Sequence, residues 1–137
     1  MIKSWFIFAL LALVMWGLWG FFPKLATFHI TPKSAIVYEV LGSVIVGIVI
    51  LSFIKFQPET QPTGILFAVL TGITATLGTF FFLYALTLGK ASVVVTITAW
   101  YPLITIALTF LVLREPITMV QGVGMALALI AMVLLAW

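Results

Sequence analysis

Few residues of this sequence have chemistry to offer. Glu39 is the one acid inside a long apolar run, while Glu59 and Glu115 stand beside prolines in polar punctuation. A carboxylate in such surroundings is costly, and by default it faces a cavity, a partner or an exchangeable proton. The static alternative is that Glu39 reaches the surface or pairs with Lys24 or Lys33. The working role is the better supported of the two. Lys24 ends the stretch MWGLWGFFPK, residues 15–24, which also carries Trp16, Trp19 and the bend residue Pro23. If the helix runs on through Pro23 to residue 28, Lys24 lies about 6 Å from its end. Lys24 then sits at the depth of Glu39, and either a pair between them or an interfacial anchor fits. The two Trp-Gly pairs are three residues apart and share one side of a helix. Further along, Trp100 and Tyr101 occupy the middle of an apolar run beside Pro102, which frees the carbonyl of Thr98 and should kink the helix. A kinked aromatic segment suits a lipophilic or cationic solute; packing filler is the rival reading.

No nucleophile–base set accompanies these residues, and the lone His29 falls in a loop. Neither an enzyme nor a bound metal or other cofactor is expected. Cysteine is absent, which excludes disulfides and thiolate chemistry.

The elements that must position this chemistry follow from composition. Of 137 residues 65% are hydrophobic and 7% charged, with a mean hydropathy of +1.39. A soluble domain of this size cannot hide that much apolar side chain. The net charge of +3 comes from six scattered Lys and Arg, ordinary flanks of membrane helices and no footprint for nucleic acid. Five apolar runs of 18 to 25 residues appear at 5–22, 34–54, 64–88, 91–113 and 117–137, the first extending to 28 if Pro23 is tolerated. About 20 residues cross a bilayer core, and backbone groups in lipid must be bonded internally, so each run should be a transmembrane helix. The fold class is therefore an all-α integral membrane protein, with a single domain of five helices over 1–137. The first run is not expected to be a cleaved signal peptide, because its end is bulky and aromatic. Trp5 and Trp137 sit at run ends, where the headgroup level favours amphipathic rings.

The punctuation is legible too. Thr31-Pro32 reads as an N-cap and first-turn proline, Gly89-Lys90 as a minimal link with a left-handed Gly, and Thr118 with Gln121 as a capping box. Ala68, Gly72 and Thr76 recur every four residues, as do Gly124 and Ala128, and such stripes serve helix packing or a dimer face. The threonines at 71, 74, 76 and 79 either line a cavity or bond back to their own helix.

Five spans place Lys3, Lys55 and Arg114 on one side and Lys24, Lys33 and Lys90 on the other. Three against three leaves the positive-inside rule almost without a signal. Balanced charge arises readily by chance. Joined to an odd span count, however, it favours insertion in both orientations and an antiparallel homodimer, since paired inverted repeats are a transporter architecture.

Residues 88–137, LGKASVVVTITAWYPLITIALTFLVLREPITMVQGVGMALALIAMVLLAW, resemble the end of an EamA-type repeat of the drug/metabolite transporter superfamily. A Gly turn, a helix with a central Pro, an acidic loop at Glu115 and a Gly/Ala-rich last helix carry the likeness. Trp19-Gly20 followed by Lys24 resembles the family's first helix. A finer similarity lies in YEVLGS, residues 38–43, which resembles the Glu-Val-x-Gly element of the small multidrug resistance proteins. That likeness implies proton-for-substrate exchange at Glu39, with Tyr38 beside it, and matches Trp100 to a substrate-contacting Trp. Glu39 lies about 10 Å past Pro32, nearer the interface than a mid-helix Glu. Together these resemblances imply a half-size secondary-active transporter of small organic molecules in a prokaryotic plasma membrane, working as a dimer by alternating access. The alternatives are a flippase for lipid-linked substrates and a non-transporting membrane assembly subunit.

Overall fold

A computed structural model describes residues 4–136, leaving Lys3 and the expected interfacial Trp137 outside. The chain divides into two units, Met1–Leu88 and Gly89–Trp137. The described residues are helical with no strand. Four of the helical stretches are long and apolar enough to cross a membrane, and a fifth is shorter. The protein is an all-α, multi-pass integral membrane protein.

The first unit holds α1 (Ser4–Thr27), α2 (Pro32–Phe53) and α3 (Pro62–Leu88). Helix α1 runs through Pro23 rather than stopping before it. A membrane helix tolerates the lost N–H because neighbouring groups and local adjustment re-satisfy the freed carbonyl. Pro23 is itself buried. The helix closes where His29 and Ile30 N–H both turn back to the Ala26 carbonyl at 3.0 Å. Thr31 then caps α2: its hydroxyl accepts from the Ser34 N–H at 3.4 Å, and Pro32 fills the first turn, where no donor is needed. Helix α2 ends in a Schellman motif. Phe56 N–H reaches the Leu51 carbonyl and Lys55 N–H the Ser52 carbonyl, with Lys55 at φ 54° and Phe56 at φ 59°. Gln61 caps α3 through the Gly64 N–H.

The buried residues of this unit gather at one end of its helices. Pro23 of α1, Ala35 of α2, and Thr79, Phe82, Leu83 and Leu86 of α3 are covered, the last two almost completely. At the other end residues 41–50 and 61–78 are exposed without interruption. Water would penalise that surface heavily, but acyl chains solvate Leu, Ile, Val and Phe as well as protein does. The hydroxyls of Thr71, Thr74, Thr76 and Thr79 bond to carbonyls three or four residues back at 2.9 to 3.1 Å, so the back-bonding alternative holds for all four.

The second unit holds α4 (Ala91–Thr98), α5 (Tyr101–Leu108), a π-helical turn (Thr109–Leu113) and α6 (Met119–Ala136). The expected kink at Pro102 takes the form of a turn at Ala99–Trp100, two to three residues before the proline and within the apolar span Ala91–Leu113. The chain leaves the helix at Ala99–Trp100, and Pro102 falls in the first turn of α5, where its missing N–H costs nothing. Gly89 does not take the expected left-handed conformation, since no described glycine has positive φ. Lys90 instead enters α4 from extended backbone at φ −68° and ψ 134°, so the link needs no left-handed residue. The left-handed stop falls on Arg114, φ 54°, after the π turn. Helix α6 starts at Met119, two residues later than expected, because Thr118 and Gln121 close a capping box. Thr118 N–H donates to the Gln121 side chain at 2.9 Å, and Gln121 N–H to the Thr118 hydroxyl at 3.3 Å. Thr118→Ala is expected to cost about 1 kcal/mol and fray the first turn of α6, read as faster amide exchange over residues 119–122.

Helix α6 packs on α4. An apolar cavity of about 80 Å³ separates Pro102, Leu103 and Ile106 from Met125, Ala128 and Met132. Of the small residues expected to pack, Ala128 lines that cavity. A methyl built on Gly72 or Gly124 meets nothing within 4 Å among the described residues of its own unit.

Candidate substrate and coupling site

Two helix segments bring the chemistry of the first unit together. Glu39 lies seven residues into α2, about 10 Å from its start, and Trp19 lies eight residues before the end of α1, about 12 Å from it. These antiparallel neighbours therefore carry the two residues at one depth. The Trp19 indole Nε1–H donates to Glu39 Oε1 at 2.9 Å. A hydrogen bond in a medium of low dielectric is electrostatically stronger than the same bond in water. Phe82 of α3 backs the indole: the rings stack at 5.2 Å and 17°, and Phe82 is buried. Side chains from all three helices thus meet at Trp19, which touches both Glu39 and Phe82. Ser43, one turn on, donates to the Glu39 backbone carbonyl at 3.1 Å and leaves the carboxylate to Trp19.

Lys24 takes a different partner from the one its depth suggested. Its ammonium donates to the Leu86 carbonyl of α3 at 2.7 Å and stands 5.3 Å from the centre of the Phe28 ring. Leu86 belongs to the last turn of α3, where carbonyls lack helical donors and the helix dipole favours a cation. The bond ties the end of α1 to the end of α3 beside Glu39 without joining the two charges.

Trp16 and Tyr38, also expected at the site, are exposed and make no hydrogen bond through their side chains among the described residues. In the second unit Trp100 precedes α5, and its indole nitrogen is buried without a hydrogen-bond partner among the described residues. A buried unpaired N–H costs about 1–3 kcal/mol, so Trp100 carries a donor that an acceptor would stabilise. Tyr101 next to it is exposed. No described group of three His, Asp or Glu is arranged to hold a metal ion. Phe82 and the Leu86 carbonyl escaped sequence reasoning. Phe82 sits in a run of three phenylalanines that offers no signal for which ring turns inward, and a backbone carbonyl has no sequence signal at all.

An open recess of about 540 Å³ lies where the α1–α2 connection meets the end of α3, lined by His29, Thr31, Ser34 and Thr87 among others. Thr31 and Ser34 there already bond each other at 3.2 Å.

The family model for EamA-like transporters matches residues 3–137. An uncharacterized protein of Methanocaldococcus jannaschii is 32% identical over 130 residues, covering 95% of this chain and 94% of its own length. No solved structure matches. The match spans the Trp19–Glu39 pair, the broken fourth span and the capped last helix alike. With a membrane-grade helical chain and a polar cluster within it, these findings mark a membrane transporter of small molecules: the chain belongs to the EamA-like transporter family.

Proposed function

We propose that this chain is a secondary-active transporter of small organic solutes that works by alternating access as an antiparallel homodimer and exchanges protons at Glu39. The observation that carries the reading is the Glu39 carboxylate, set within an apolar helix and held by a side chain of the neighbouring helix. An ionisable group at that depth is expensive to keep and is by default part of a solute or proton path. Lys24 and Trp16 flank the path from α1 and Tyr38 from α2. Trp100 and Tyr101 supply the aromatic surface of the fourth span.

The homodimer rests on three observations. Positive residues divide three to three between the two sides. The archaeal relative is matched over 94% of its own length, the length of one repeat. A site between inverted repeats requires two repeats. Gly72 and Gly124, each with open space beside it among the described residues of its own unit, suit the faces that a second copy would approach. The membrane is that of a prokaryotic cell, in keeping with an archaeal relative.

Purified protein in liposomes, screened with radiolabelled amines, amino acids and sugars under an imposed pH gradient, tests the function. Accumulation that collapses with the gradient is the expected outcome. Transfer of a labelled lipid instead would identify a flippase, and no flux of either would identify an assembly subunit. Orientation has its own test, because the chain contains no Cys. A Lys90→Cys variant in cells should be labelled by a membrane-impermeant maleimide in part before lysis and in the remainder after it. Labelling from one side alone removes the antiparallel homodimer.

A further inference from the structure

We propose that Trp19 is a positioning residue for Glu39. Its indole N–H holds the carboxylate in one orientation, against α1 and α3, and whatever engages Glu39 must first displace that bond. The inference rests on the reading of Glu39 as the working carboxylate and adds what controls its availability.

Three observations carry it. The bond, 2.9 Å, has ordinary N–H···O length and joins side chains twenty residues apart on different helices, so it exists through tertiary packing alone. The indole has little freedom to follow the carboxylate elsewhere, because its face is stacked on Phe82, a buried ring. Among the described residues no other side chain is bonded to the Glu39 carboxylate. The titratable groups on the packed elements are Lys24 on α1, Lys33 and Tyr38 on α2 and Tyr84 on α3. Lys24 is bonded to the Leu86 carbonyl, Tyr84 packs edge-on against Phe80 at 5.0 Å, and none of the four bonds to Glu39 among the described residues. A carboxylate in lipid with a single donor depends on that donor for its orientation. Phe82 in turn keeps the indole in place, so α3 acts on Glu39 through Trp19.

A lipid-soluble carbodiimide tests the assignment without knowledge of the solute, since it labels carboxyl groups inside membranes. Trp19→Phe keeps an aromatic ring on Phe82 and removes the N–H. In full-length protein in liposomes, Glu39 of Trp19→Phe should be labelled several-fold faster than in the native chain, with helix content by circular dichroism unchanged. Glu39→Gln gives the background from Glu59 and Glu115. Equal labelling rates in the native and Trp19→Phe proteins would overturn the proposal. If Trp19→Phe fails to fold, the indole proton of Trp19 is followed by NMR in the native protein and in Glu39→Gln, with the Phe82→Leu spectrum to help assign it. An upfield shift on replacing the charged acceptor by a neutral one supports the bond, and an unmoved signal overturns it. Failure of the coupling reading is separate: it would show as gradient-driven uptake surviving in Glu39→Gln, whatever the labelling rates.

Discussion

Glu39→Gln is expected to abolish solute accumulation driven by a pH gradient while leaving the protein folded. The substitution is nearly isosteric, and the Gln carbonyl oxygen can still accept the Trp19 N–H, so the contact between α1 and α2 persists. What is lost is the exchangeable proton. Coupling needs a group that gives up its proton when solute arrives and regains it when solute leaves, and an amide does neither. Uptake in liposomes should fall to that of protein-free vesicles, while helix content and elution volume in detergent match the native protein. Retained gradient-dependent uptake would remove Glu39 from the mechanism. Neither Glu59 nor Glu115 offers a substitute, because both lie in the polar connections.

Lys24→Met is expected to destabilise the first unit by about 2 kcal/mol, the range for a hydrogen bond to a charged group. The ammonium reaches the Leu86 carbonyl at 2.7 Å. Lipid offers no water to replace it at the end of α3, and the C-terminal dipole adds to the attraction. Lys24→Arg keeps the charge and several donors and should recover most of the loss. Unfolding in mixed detergent measures both. The comparison with transport is informative. If Lys24→Met loses stability and transport in proportion, the residue is a clasp. If it loses transport with stability intact, Lys24 touches the solute.

The helix boundaries show how much of this architecture is local. Thr31-Pro32 capped α2 as its residue types required, and Thr118 with Gln121 set the start of α6, because a cap depends on three or four consecutive residues. Local rules were weaker at breaks. Pro23 stayed inside α1, whereas Pro102 opened α5 after a turn at Ala99–Trp100. A proline marks where a helix lacks a donor, and the surroundings decide whether the chain continues through the gap or starts again. Gly89 failed in the same way: glycine permits a left-handed turn, but the entry to α4 required extended backbone.

The candidate site divides along the same line. The cost of a charge in a 22-residue apolar helix is enough to single out Glu39, since it depends on residue type and span length alone. Membrane residence, helical class and the depth of Trp19, Lys24 and Glu39 follow likewise from composition and a rise of 1.5 Å per residue. Which of these groups bond was decided by packing. The sequence offered Lys24 or Lys33 as a partner for Glu39, and rotation about the helix axes gave the carboxylate to Trp19 instead. That rotation is set by how α1 and α2 seat on Phe82, Leu83 and Leu86 of α3. It turned the indole of Trp19 to the carboxylate and the ammonium of Lys24 to a backbone carbonyl. The sequence by itself determined which residues could do the chemistry and at what depth they stand. The tertiary structure alone decided their partners, because a contact twenty or sixty residues apart arises from three helices packing together and has no local signal.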